Sequence, residues 1–196
     1  MRQIILASAS PRRQELMKLI TADFQIKVPE FDESALKEAG LPPEELVRAL
    51  AKGKALAARS QFGGDAEALY VGGDTVVLSP DGEAMGKPKD RADARRMLLG
   101  LSGRTHQVVT GVAIAWQDLI MGEKKFKTFT ASTDVDFYPL SEKEVEAYLD
   151  TPEPYDKAGA YGIQERGGLF VKAIRGDYFN VVGLPVARLA KELQAL

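Results

Sequence analysis

The sequence has no cysteine among its 196 residues and a single histidine, His106. Without cysteine the chain forms no disulfide, thiolate nucleophile, zinc finger or iron–sulfur cluster, and one histidine cannot build a poly-histidine metal site. A bound metal would therefore need carboxylate and water ligands, which favours Mg²⁺ or Mn²⁺.

Long apolar runs and an excess of one charge are also missing. No apolar run approaches the ~18 residues of a membrane span, and IILA near the start is too short for the core of a signal peptide. We therefore expect a cytoplasmic protein with no membrane association. The formal net charge of -2 provides no general positive field, so we expect no nucleic-acid partner, although a local basic site for a small anion stays open.

Several common enzyme motifs are absent as well. The sequence contains no G-x-x-x-x-G-K-[ST] loop, no G-x-G-x-x-G, no G-x-S-x-G and no H-E-x-x-H. These absences argue against P-loop kinases, Rossmann dehydrogenases, serine esterases and zincins.

The apolar patterns that are present predict an α/β fold with a mixed sheet, because strand-like and helical segments alternate. The chain opens as strand, turn and helix, with Ser10 as N-cap, Pro11 at the first helical position, and Leu16, Leu19 and Ile20 on one face. Two strands broken by Gly-Gly-Asp are expected within 69–78. Other predicted strands lie at 3–7, 24–28, 107–116, 125–138 and 169–174, and predicted helices at 42–59, 90–99, 145–150 (after a Ser141–Glu144 capping box) and 180–193.

The turn SASPRR at residues 8–13 suits a polyphosphate. A helix start offers free N–H groups and the positive end of the helix dipole, yet Arg12 and Arg13 stand where acidic residues are preferred. An anion bound between the two guanidinium groups would resolve this conflict. The alternative is an ordinary N-capped helix with two solvated arginines.

Asp74 and Lys54 are the next candidates. Asp74 follows two glycines and is expected at a sheet end, partly buried, as a metal ligand or general base; a turn aspartate that caps backbone N–H groups is the alternative. Lys54 shares a helix face with Val47, Leu50 and Ala57, so its ammonium needs an anionic partner unless it extends along the helix edge to solvent.

Three further candidates carry weaker signals. Lys87 in GKPKD is either an anion-binding cation or a solvated loop charge. His106, between a polar turn and a strand, fits a hydrogen-bonded structural role better than general-base work. Glu33 in FDES is a carboxylate after the second strand, and a surface acid is the favoured interpretation.

The segment DKAGAYGIQ offers a base-reading group. Gln164 carries an amide donor and acceptor, and Gly159 and Gly162 allow tight backbone turns. The alternative is a structural loop in which Asp156 and Lys157 form a surface ion pair.

Six segments in order resemble the Maf family of nucleoside triphosphate pyrophosphatases: LASASPRRQELM, GGDTVV, GKPKD, SGRTHQVVTG, AYLDTPEPYDKAGAYGIQ and NVVGLPV. The resemblance runs from residue 6 to about 187. It implies a single Maf-type domain over 1–196, with a mixed central sheet flanked by helices and two lobes around a deep nucleotide cleft, as in inosine-triphosphatase-like proteins. A homodimer is implied as well.

The resemblance also implies hydrolysis of a nucleoside triphosphate to the monophosphate and pyrophosphate with a divalent cation, Mg²⁺, Mn²⁺ or Co²⁺. Asp74 corresponds to the proton acceptor and, with Glu33, to a metal ligand. Phosphate contacts correspond to Ser8, Ser10, Arg13, Lys54 and Lys87. Three specificity positions, Arg12, Thr75 and Gln164, match the branch acting on dTTP and UTP, including modified uridine triphosphates, rather than the 7-methyl-GTP branch.

Two alternatives stay open. A nucleotide-binding regulator linked to septum formation would use the same cleft without hydrolysis, and a 7-methyl-GTP-type pyrophosphatase would share the chemistry. Binding alone does not require Asp74 among cations, which favours the enzyme. The chain departs from the family pattern at Gly73, in TPEP, and at Glu165-Arg166, where the last change lies beside Gln164.

Overall fold

The computed structural model describes residues 2–63, 67–118 and 120–196, and it confirms the predicted mixed α/β architecture with a central sheet flanked by helices. Seven strands of this described part form one sheet. They are β1 (Ile4–Leu6), β2 (Phe24–Ile26), β3 (Leu69–Leu78), β4 (Ala84–Met85), β5 (Thr105–Gln117), β6 (Lys124–Phe137) and β7 (Val171–Arg175).

The sheet has the strand order β2-β1-β3-β5-β6-β7, and β4 pairs with β3 outside this path. β1 lies parallel to both β2 and β3, with Ile4 opposite Phe24 on one side and Leu69 on the other. The pairs β3–β4 and β6–β7 are antiparallel. Parallel and antiparallel ladders therefore occur in one mixed sheet.

Seven α-helices accompany the sheet in the residues that the structure describes. They are α1 (Pro11–Lys18), α2 (Ser34–Glu38), α3 (Pro43–Phe62), α4 (Arg91–Leu101), α5 (Glu142–Leu149), α6 (Tyr178–Val182) and α7 (Val186–Gln194). No described helix is long and apolar enough to cross a membrane.

The contacts divide the chain into two compact units, and the first comprises the described residues of Met1–Asp74, Thr110–Ala131 and Gly183–Leu196. Its core is rich in small side chains, with α3 contributing Ala51, Ala55 and Ala58. A Cβ on Gly72 of β3 would lie 2.2 Å from the Ala51 carbonyl oxygen, and one on Gly111 of β5 would lie 2.4 Å from that of Val47. The backbone of α3 therefore rests directly on the strands at these two glycines.

The second unit comprises Thr75–Val109 and Ser132–Val182. Its core combines aliphatic residues of α4 and α5 with an aromatic cluster of His106, Phe137, Tyr148, Tyr161 and Phe170, whose rings meet edge to face. The single domain over 1–196 and the cleft between two lobes stay predictions.

The three N-cap residues predicted from the sequence are confirmed. Ser10 accepts a hydrogen bond from the Arg13 N–H, Asp90 accepts one from the Asp93 N–H, and Ser141 and Glu144 form both halves of a capping box.

Some predicted elements differ from the structure. The prediction that Leu16, Leu19 and Ile20 form one helix face is wrong, because α1 ends at Lys18 and Leu19 is 62% exposed. The helix over 90–99 extends through Gly100 to Leu101. The single helix over 180–193 is two helices, since Gly183 has a φ of 129° and Pro185 follows it.

Candidate active site

Asp74 lies inside a continuous strand, not at a break between two strands as the sequence predicts. β3 runs unbroken from Leu69 to Leu78, and the Asp74 side chain is 19% exposed. The two preceding glycines serve close packing instead of a turn: Gly72 meets α3, and a Cβ on Gly73 would lie 3.2 Å from Nε of Arg13. Asp74 is thus held on a rigid element beside a guanidinium group.

Lys54 of α3 supplies the ammonium that faces Asp74. Its Nζ lies 2.6 Å from Oδ1 of Asp74 and 2.8 Å from Oε1 of Glu33, and its side chain is 19% exposed. The inward-facing lysine therefore has the anionic partners that its apolar surroundings require. One ammonium joins two carboxylates from β3 and from the segment before α2.

Glu33 is placed in the site, not on the open surface as the sequence interpretation favoured. Its carboxylate also accepts a hydrogen bond from Lys37, at 2.6 Å. Burial alone would raise the pKa of Glu33, but the hydrogen bonds from Lys37 and Lys54 outweigh it and lower that pKa. Lys37 was missed from the sequence, although its spacing of four residues from Glu33 is the usual signal of a helical ion pair.

The basic turn packs against the same region. Arg13 donates from Nε to the Gly183 carbonyl at 2.9 Å and from Nη1 to the Ser8 hydroxyl at 3.4 Å. The pKa of Arg13 is lowered overall, and burial is the main cause. The charge of Asp74 opposes this shift, and the charge of Arg12 adds to it. Ser8 is buried and accepts a hydrogen bond from the Ser10 N–H at 3.2 Å. The interpretation of two solvated arginines is therefore wrong for Arg13.

The first unit thus brings together most of the predicted charged groups. Arg13, Lys54, Asp74 and Glu33 interact electrostatically, and Arg12 lies next to them at the start of α1. Cations at a helix start can hold a phosphate chain, and a carboxylate beside them can accept a proton from water.

The other predicted site residues belong to the second unit. Thr75 follows Asp74 on β3 and is half-buried, Lys87 is exposed in the loop between β4 and α4, and Gln164 is exposed in the turn before Arg166–Phe170. Their convergence on Asp74 stays a prediction.

His106 has the structural role that the sequence favoured. It is 2% exposed, its Nε2 lies 2.9 Å from the Tyr161 hydroxyl, and its ring packs against Phe137. Burial lowers the pKa of His106 to about 4, so the ring is neutral at physiological pH.

Asp156 and Lys157 form the ion pair that the alternative interpretation predicts, but the Lys157 side chain is buried and only that of Asp156 is exposed. Lys157 is 6% exposed, and its Nζ donates to the Glu153 carbonyl and to Asp156, both at 2.8 Å. Glu153 is also buried, although its position between two prolines in a loop is not a pattern that predicts burial.

Glu33 and Asp74 are the groups suited to a divalent cation. Both carboxylates contact the ammonium of Lys54, so both face one point, and oxygen ligands suit Mg²⁺ and Mn²⁺. The described residues contain no group of three or more His, Cys, Asp or Glu that could hold a metal. A cation here would therefore take its remaining ligands from substrate phosphates and water.

Sequence comparisons with a family model and with curated proteins point to the same family. The model of the family described as Maf-like protein matches residues 3–196. A protein of Bacillus cytotoxicus named dTTP/UTP pyrophosphatase is 46% identical over 99% of this chain and 95% of its own length. Proteins of the same name from Carboxydothermus hydrogenoformans and Symbiobacterium thermophilum are 47% and 48% identical, each over 98% of this chain and over 97% and 93% of their lengths.

A solved structure, that of the Staphylococcus aureus Ham1 protein, resembles the fold. The two chains superpose with a TM-score of 0.57 at 16% identity, covering 99% of each. This likeness concerns the fold alone.

Proposed function

The chain belongs to the Maf family, and from this membership we propose that it is a nucleoside triphosphate pyrophosphatase that hydrolyses dTTP and UTP to the nucleoside monophosphate and pyrophosphate. The observation that carries the proposal is the contact of Lys54 with both Asp74 and Glu33, beside Arg13. Modified uridine triphosphates fit the same proposal.

The reaction needs a nucleophile, a proton acceptor and stabilisation of a leaving group. The oxygen of a water molecule attacks the α-phosphorus, the bond from that phosphorus to the bridging oxygen breaks, and pyrophosphate leaves with the electron pair. Asp74 accepts the proton of the attacking water. Because it lies within a strand and is held by Lys54, its carboxylate is fixed before substrate binds.

The cations neutralise charge that grows on the leaving pyrophosphate. Arg13 and Lys54 lie beside Asp74, and the hydroxyl groups of Ser8 and Ser10, just before α1, add hydrogen-bond donors. Lys87 would contribute a further phosphate contact from the second unit. Lys54 exchanges a carboxylate partner for a phosphate oxygen when the triphosphate enters.

A divalent cation, Mg²⁺, Mn²⁺ or Co²⁺, would be held by Asp74 and Glu33. When bound, it supplies positive charge that neutralises the phosphates and orients them. Arg12, Thr75 and Gln164 would select the base, with the Gln164 amide pairing with the donor and acceptor groups of the uracil or thymine imide edge.

The product of the reaction tests the proposal. Incubation with dTTP and Mg²⁺ should give dTMP and pyrophosphate, not dTDP and orthophosphate. A panel containing UTP, modified uridine triphosphates, 7-methyl-GTP and dCTP, repeated with Mn²⁺ and Co²⁺, defines the substrate. Binding without any product would overturn the proposal in favour of a nucleotide-binding regulator, and preference for 7-methyl-GTP would overturn the dTTP/UTP assignment.

A further inference from the structure

The short loop Gly162–Gly167, here called the Gln164 loop, is tied at both ends to one buried carboxylate. Gln164 itself is exposed in the middle of the loop. The carboxylate is that of Glu153, which is 6% exposed and lies in the segment Glu153–Asp156 of the same unit.

The C-terminal end of the loop is held by direct hydrogen bonds. Oε2 of Glu153 accepts from the Arg166 N–H at 3.1 Å, and Oε1 accepts from the Gly167 N–H at 3.0 Å. Hydrogen bonds to a carboxylate are about twice as strong as those between neutral groups. Two consecutive backbone donors are thereby fixed.

The N-terminal end is held through a tyrosine. The Tyr148 hydroxyl donates to Oε1 of Glu153 at 2.8 Å and accepts from the Gly162 N–H at 3.3 Å. Tyr148 is 3% exposed and packs edge to face on Phe170, so its ring has little freedom. Burial and the hydrogen bond to Glu153 both raise the pKa of Tyr148, which keeps the hydroxyl protonated as a donor.

Close packing supports the same geometry. A Cβ on Gly167 would lie 2.7 Å from the Tyr148 hydroxyl, and one on Gly162 would lie 2.5 Å from Cε of Lys157. Lys157 in turn donates to the Glu153 carbonyl. The two glycines let the loop backbone approach groups that a side chain would displace.

We propose that Glu153 is a positioning residue for base selection, because it fixes the backbone on both sides of Gln164 and so presents the Gln164 amide in one orientation. The inference rests on the proposed function, in which Gln164 reads the base. Glu153 touches neither base nor phosphate in this scheme; it acts through the loop. An amide at position 153 would offer one acceptor oxygen in place of two, which leaves one of the two backbone donors, the Arg166 or the Gly167 N–H, unsatisfied.

The test is a Glu153→Gln variant assayed for pyrophosphate release from dTTP and dCTP. The ratio of kcat/KM for dTTP to that for dCTP should fall by about tenfold, a loss consistent with one misplaced hydrogen-bonding group. Tyr148→Phe removes the hydrogen bond to the Gly162 N–H but keeps the ring, and it should also lower the ratio. It is the variant to use if Glu153→Gln does not fold. Tyr155→Phe is the matched control, because it removes a hydrogen bond to the Leu149 carbonyl outside the loop.

A double-mutant cycle with Gln164→Ala separates positioning from general stabilisation. If Glu153 acts through Gln164, Glu153→Gln should change the ratio by less than about twofold in the Gln164→Ala background. Equal effects in both backgrounds, an unchanged ratio in Glu153→Gln and Tyr148→Phe, or a Gln164→Ala variant with the wild-type ratio would each overturn the inference. If the wild-type protein releases no pyrophosphate from dTTP, the proposed function itself fails, which is a different result from loss of the coupling.

Discussion

Lys54 Nζ lies 2.6 Å from Oδ1 of Asp74, and the two residues come from a helix and a strand twenty positions apart in the sequence. This ion pair is only one fifth exposed, so it is screened less than a surface pair. It fixes the proposed proton acceptor next to a phosphate-binding cation.

Replacing Asp74 with Asn should remove most of the activity and leave the fold intact. The amide keeps the size of the side chain but cannot accept the proton of the attacking water, so kcat/KM for dTTP should fall by about 10²-fold or more. Pyrophosphate release measures the loss, and the melting temperature checks the fold. Glu15→Gln, which breaks the exposed pair with Lys18, is the control and should retain wild-type turnover; near-normal activity of Asp74→Asn would contradict the assignment.

Glu33→Gln should weaken the dependence on the divalent cation. Loss of one charged oxygen ligand should raise the Mg²⁺ concentration giving half-maximal rate by about tenfold. A titration of Mg²⁺ at fixed dTTP measures this shift. Glu38→Gln changes an exposed acid at the end of α2, the short helix that follows Glu33, and should leave the titration unaltered. Identical midpoints for wild type and Glu33→Gln would rule out the ligand role.

Lys87→Met tests whether the second unit contributes a phosphate contact. A charged hydrogen bond to phosphate is worth about 1.5–3 kcal/mol, so KM for dTTP should rise by at least about tenfold. Lys89→Met is the matched control, because Lys89 is also exposed and lies two residues away. Equal KM values for the two variants would remove Lys87 from the site.

The free energy of unfolding should fall as the pH drops from about 6.5 to 4 because of His106. Burial lowers the pKa of His106 to about 4 in the folded protein, while the unfolded chain takes up the proton near 6.5. The unfolded state therefore binds more protons in this range, and the lost stability reaches about 3 kcal/mol. Urea unfolding at pH 7.5 and 4.5 of wild type and His106→Gln measures it. The variant should lose less stability than wild type, and parallel losses would show that His106 is not responsible.

The sequence predicts those features that depend on neighbours along the chain. The caps at Ser10, Asp90 and Ser141 are correct because a capping side chain bonds to a backbone group three residues away. The need of Lys54 for an anion also follows from its helix face, since a cation among apolar residues must be paired.

Features that depend on distant packing could not be predicted in this way. Gly72 and Gly73 look like a turn signal, yet they lie within β3, because the reason for glycine there is the approach of α3 and of Arg13. The burial of Glu153 has no signal in the sequence, because its partners Tyr148, Arg166 and Gly167 come together only in the folded chain.

The glycines at which α3 meets the strands determine how robust the site is to mutation. Gly72 and Gly111 bring the main chain of α3 against the main chain of β3 and β5 near Ala51 and Val47, one turn or two before Lys54. Close contact between main chains at these two points therefore contributes to the distance between α3, which carries Lys54, and the sheet. A methyl group added at either glycine would meet the backbone of α3 at 2.2–2.4 Å, so the helix would have to shift and Lys54 would move relative to Asp74.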